Sequence, residues 1–189
     1  MESYFDGQQL DERILYTIVP HPLSHYIAIV RTVVLALVFP IILFMISGIF
    51  PQGAVIMRTI GIIFSLFLVF AGIWWNSAVY RKSRTYVTDR RIIRFDVVSP
   101  FFTTKRALFW NEVLKAKAFS PSLLYRFLKI GSLTVEPLMS EHENVTVPHV
   151  YYFEDLANYI DKILFTFKNK PMEISTLKPF IPLPKGKRE

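Results

Sequence analysis

The chain has 189 residues, 52% of them hydrophobic, with a net charge of +7 and no cysteine. The missing thiols exclude disulfides, thiolate metal centres and a cysteine nucleophile. An ordinary soluble domain is about 45–50% apolar, so the overall fraction says little and its distribution along the chain carries the information.

Residues 1–31 set Arg13 and Arg31 against four acids and form a short lead-in of net charge −2. Two runs free of charge follow, 32–50 (TVVLALVFPIILFMISGIF) and 59–80 (TIGIIFSLFLVFAGIWWNSAVY). At 1.5 Å per residue they reach roughly 28 and 33 Å, matching a hydrocarbon core of about 30 Å. The pattern predicts a transmembrane helical hairpin over 32–80. The first run starts too late and runs too long for a cleaved signal peptide, and it lacks a small-x-small cleavage pattern. Pro40 removes one backbone hydrogen bond inside the first span and predicts a kink.

The connection 51–58 is short, so the two helices are expected to be antiparallel neighbours. Basic residues mark the cytoplasmic side. Arg31 precedes the first span and Arg81, Lys82 and Arg84 follow the second, whereas the connection carries only Arg58. Both termini are therefore expected in the cytoplasm, in a multi-pass plasma-membrane protein. Trp74, Trp75 and Tyr80 fall at the inner end of the second span, where amphipathic rings favour the headgroup layer. Neither run contains an ionisable side chain of the kind that ion pathways and proton relays use.

Beyond residue 81 the period changes from helical to alternating. Residues 85–97 read as two strands around a polar turn at Asp89 and Arg90, and 103–110, 112–119, 131–136 and 144–150 continue the alternation. The stretch 122–129 fits either a helical turn or a continuing strand. Phe153, Leu156, Ala157, Ile160, Ile163, Leu164 and Phe167 then recur at i, i+3, i+4, i+7 and predict one amphipathic helix. Glu154 and Asp155 suit its first turn, Lys168 and Lys170 its last, and Pro171 stops it. The expected fold class is α+β: a two-helix transmembrane hairpin, then an antiparallel barrel or curved sheet over 81–170 capped by a C-terminal helix. The Pro-rich basic tail 171–189 is expected to be extended and largely unpacked.

Three stretches carry a resemblance. They are Asp11-Glu12-Arg13-Ile14-Leu15 with Pro20-His21-Pro22, then Tyr86-Val87-Thr88-Asp89-Arg90-Arg91-Ile92-Ile93, then 123–133 (LLYRFLKIGSL). Their order and spacing resemble bacterial membrane proteins that pair a two-helix hairpin with a pleckstrin-homology-like domain. Lys129 stands where that family often has glycine, and Pro22 where it has an aromatic residue. The resemblance spans 11–170 and implies a PH-like barrel with a capping helix and no known catalysis.

Fifteen basic residues against nine acidic ones give 81–170 a charge of +6. Arg81, Lys82, Arg84, Arg90, Arg91, Arg94, Lys105 and Arg106 crowd its first third and form the candidate lipid- or partner-binding set. Each Lys or Arg near an anionic leaflet contributes about 1 kcal/mol, so anionic headgroups of the bilayer are the expected partner. A homo-oligomer or another membrane protein is the further possibility. The bland reading is that Arg81, Lys82 and Arg84 only set topology and the rest are solvated. Aromatic stacking positions interleaved with these charges are not evident, so nucleic acid is not expected.

His21 and His25 have i, i+4 spacing, but Pro22 argues against a regular helix there, and with His142 and His149 they lack acidic partners for a metal site. The sequon Asn144-Val145-Thr146 faces the cytoplasm in the expected topology, where it is not glycosylated. No phosphate-cradling glycine loop, nucleophile elbow or apolar carboxylate pair occurs, so neither a cofactor nor catalysis is expected. The sequence favours a non-enzymatic, membrane-anchored scaffold or lipid-contact module. The rival reading is an accessory subunit of a larger membrane complex that uses the PH-like domain as a protein interface.

Overall fold

A computed structural model describes residues 4–49, 51–139 and 144–183. They fall into two compact units. One is the helical hairpin Pro22–Lys82 together with Ser99–Phe101; the other holds the remaining described residues, among them 83–98 and those from 102 onward.

In the first unit, α1 (Pro22–Ser47) and α2 (Ala54–Lys82) are joined by a short 3-10 turn, Pro51–Gly53. α1 starts ten residues before the charge-free run because proline fits the first helical position, where its missing N–H would be unpaired anyway. Pro22 thus opens the helix it was expected to prevent, placing His25 inside α1 and His21 outside it. The helices meet along small and polar residues. A Cβ on Gly72 would come within 2.2 Å of the Thr32 methyl, and one on Gly61 within 3.1 Å of Leu43. Ser65 Oγ donates to the Ala36 carbonyl at 2.9 Å, and Asn76 Nδ2 donates to Thr32 Oγ1 at 2.9 Å. Small residues that admit close backbone approach, with polar side chains bridging them, are the usual glue of helices in lipid. Arg58 donates to Ser47 Oγ at 2.9 Å, so the one charge near the turn is bonded.

The second unit contains two antiparallel sheets. One orders β1 (Ile14–Ile18), β2 (Arg84–Thr88), β3 (Arg91–Val97) and β4 (Thr103–Phe109); the other orders β5 (Val113–Phe119), β6 (Ile130–Pro137) and β7 (Val145–Tyr151). The segment 122–129 resolves as a one-turn helix, α3 (Leu123–Phe127). The sheets stay open and do not close into the expected barrel. Between β4 and β5 the 3-10 turn Trp110–Glu112 redirects the chain, with the Trp110 N–H donating to the Arg90 carbonyl.

α4 (Phe153–Asn169) packs the predicted stripe into the core, where Leu156, Ile160 and Ile163 are fully buried beside Val87, Leu133 and Trp110. The Trp110 Nε1–H donates to the Thr88 carbonyl at 3.0 Å, pairing the one polar atom of that ring. Gly131 has no room for a side chain: a Cβ would lie 2.6 Å from the Phe153 ring.

The lead-in and tail both join this unit. β1 pairs with β2, so the hairpin is an insertion between neighbouring strands of one sheet. The tail does not hang free: Leu177 and Phe180 are buried, and the Phe180 N–H donates to the Leu15 carbonyl. The remaining tail charges, from Pro184 onward, lie outside the described residues.

Candidate functional site

The eight basic residues singled out in the sequence divide into three groups. Arg90, Arg91 and Lys105 are held by the N-terminal segment. Arg91 makes a buried bidentate pair with Glu12, Nε to Oε1 and Nη2 to Oε2 both at 2.9 Å, and Nη2 also donates to the Gly7 carbonyl. The Thr88 hydroxyl and the Gln9 N–H lie 2.9 Å from the same carboxylate. Burial by itself would raise the Glu12 pKa, but these donors outweigh it and hold the carboxyl below its ordinary value of 4.5. Arg90 donates to Gln9 Oε1 at 3.0 Å and Lys105 to the Asp6 carbonyl at 2.8 Å. This group clasps the lead-in onto the sheet.

Arg94 and Arg106 stand opposite each other on β3 and β4 and share the carboxylate of Asp96. The distances are 2.6 Å from Arg94 Nε and 3.0 Å from Arg106 Nε. They line an open polar recess of about 430 Å³ whose rim includes Ser83, Asn144 and Thr146. Two guanidinium groups against one carboxylate leave the recess with one net positive charge. Burial lowers the Arg94 pKa from its ordinary value; Arg106 adds repulsion and Asp96 opposes it. A second anion entering the recess would relieve that repulsion, and two guanidinium groups side by side suit a phosphate or carboxylate.

The third group lies where the hairpin meets the strands in sequence. Arg81 and Lys82 end α2, and Arg84 opens β2 with Nη1 on the Ser83 carbonyl at 2.9 Å. Lys82 Nζ donates to the Pro100 carbonyl. Arg81 and Lys82 are exposed.

Sequence reasoning took the basic cluster as one patch and missed Glu12, the residue that makes Arg91 structural. The signal was the acidic lead-in itself, whose charge is opposite to that of the strands it binds. Among the described residues no group of three His, Asp or Glu side chains is placed to hold a metal ion, and His142 lies outside them. The His21 N–H donates to the His149 carbonyl at 2.8 Å. Burial lowers both imidazole pKa values, and His149 is lowered further by His21.

No family model, no curated protein and no solved structure matches this chain.

Proposed function

We propose that this chain is a membrane-anchored, non-enzymatic binding module. The hairpin crosses a bacterial plasma membrane twice with both termini in the cytoplasm. The sheet unit, PH-like in its four- and three-stranded sheets followed by one helix, contacts anionic headgroups through the Arg94–Arg106 recess. The observation that carries the reading is the outward surface of the hairpin. Leu35, Ile41, Met45, Ile63, Phe67 and Phe70 are all more than half exposed. In water such a continuous apolar surface would associate, whereas hydrocarbon is its natural solvent.

A reporter fused after residue 189 should read as cytoplasmic and one inserted at residue 52 as external; the reverse pattern refutes the topology. For the recess, full-length protein purified in mild detergent should retain anionic phospholipid over zwitterionic, and Arg94→Ala with Arg106→Ala should abolish that preference. Equal retention by the variant would sink the lipid role.

A second reading has its own observation. α3 exposes Leu123 and Phe127 almost completely, beside exposed Phe119. An accessory subunit would cover that patch with its partner. Loss of a stoichiometric co-purifying chain in Phe127→Glu would favour this reading over the lipid one.

A further inference from the structure

We propose that the loop between β3 and β4 is a third membrane contact, which dips into the lipid interface beside the end of α2. The inference rests on the membrane reading above and adds a segment that no hydropathy pattern marks. Residues 98–102 read Val-Ser-Pro-Phe-Phe. Val98, Phe101 and Phe102 are 73%, 72% and 73% exposed, an unusual concentration for one five-residue loop. The loop is closed by the Val98 N–H on the Phe102 carbonyl at 3.1 Å and by the Phe101 N–H on Ser99 Oγ at 3.3 Å. Its apolar side chains are thus presented on a defined turn.

The tip identifies the occupant. Ser99–Phe101 belongs to the compact unit of the hairpin and not to that of the strands flanking it. The Phe101 ring lies 6.2 Å from Trp74 and 6.4 Å from Trp75, centroid to centroid. Trp74 stands roughly 22 Å along α2 from Thr59, where the charge-free run begins, at 1.5 Å per residue, within the last third of that run. Trp74 and Trp75 thus approach the inner end of the span, where indole rings favour the boundary with the headgroups. Phe101 shares that level. Lys82 lies roughly 12 Å further along α2, and its ammonium reaches back to the Pro100 carbonyl. That hydrogen bond ties the loop tip to the basic end of α2. An aromatic tip at the Trp level with cations behind it fits the acyl–headgroup boundary of an anionic bilayer.

The chain has no native cysteine, so single cysteines can carry a nitroxide label in full-length protein reconstituted into phosphatidylcholine–phosphatidylglycerol vesicles. Phe102→Cys tests the loop, Phe70→Cys the hairpin and Lys115→Cys, on the exposed side of β5, the aqueous phase. Labels at 102 and 70 should both show an oxygen-to-nickel-chelate accessibility ratio several-fold above the label at 115. A lipid-exposed label at 70 with a water-exposed label at 102 overturns the loop contact and leaves the anchor standing. Shielding of 102 from both reagents also overturns it, in favour of a second copy covering the loop. A water-exposed label at 70 removes the membrane reading and the loop contact together.

Discussion

The Ser65 hydroxyl on α2 donates a 2.9 Å hydrogen bond to the Ala36 carbonyl on α1. That carbonyl is the one which residue 40 would serve in a regular helix, and Pro40 has no N–H to give. The neighbouring helix supplies the missing donor, so α1 runs unbroken through its proline. Ser65→Ala should destabilise the hairpin by about 1 kcal/mol, the range of interhelical hydrogen bonds in membranes. In a Pro40→Ala background the loss should nearly vanish, because the restored N–H takes the carbonyl. Unfolding of the full chain in mixed micelles, run as a double-mutant cycle, measures this coupling.

The approach of Thr32 to Gly72 makes a steric prediction. Gly72→Ala forces a methyl group into the space of the Thr32 Cγ2, and the helices must separate. Overpacking of this kind costs about 1–3 kcal/mol. Thr32→Ser removes the clashing methyl but keeps the hydroxyl that accepts from Asn76, so it should recover much of the loss. Thermal midpoints of the three variants in detergent check it, and no recovery would place the clash elsewhere.

Glu12 couples the sheet unit to acid. Its folded pKa lies below the ordinary 4.5, so between the two values the unfolded chain binds the proton first. The stabilisation is complete above about 4.5 and is lost as the pH falls through the lower folded value. Glu12→Gln leaves the Arg91 guanidinium buried without its counter-charge and should cost about 3–5 kcal/mol at neutral pH. The variant should also lose the part of the acid response that belongs to this carboxylate. Stability followed by near-ultraviolet circular dichroism across pH 3–7 resolves both effects.

Lys129 occupies the left-handed region, with φ of 56°. A non-glycine residue there costs roughly 1–2 kcal/mol, partly offset by its ammonium lying 5.1 Å from the Tyr152 ring centre. Lys129→Gly should therefore stabilise the sheet unit by about 1 kcal/mol or slightly less. A lower thermal midpoint would mean that the cation–ring contact outweighs the backbone strain.

Residues whose partners are close in sequence, or whose environment is uniform, were readable in advance. The charge-free runs gave the helices, the alternation from 85 onward gave six strands of the sheet unit, and the 153–167 stripe gave α4. β1 was not legible. Five residues are too few for a reliable period, and the partner strand lies across the whole hairpin. The burial of Arg91 was hidden for the same reason, since Glu12 stands 79 positions earlier. The tail misled by composition: prolines suggested an unpacked segment, while Leu177 and Phe180 found the core. Lys129 was marked in advance as standing where glycine is common, and it adopts the backbone conformation that favours glycine.

The insertion of the hairpin between β1 and β2 has a consequence for biogenesis. On the proposed membrane reading these two strands still meet in one aqueous compartment, so the segment between them crosses the bilayer an even number of times. A chain left with one helix untranslocated would strand β1 and β2 on opposite sides, and the four-stranded sheet could not form. During synthesis β1 emerges first and must wait, unpaired, until the second helix has returned the chain to its starting side. On that reading the four-stranded sheet forms only when both helices have inserted or neither has.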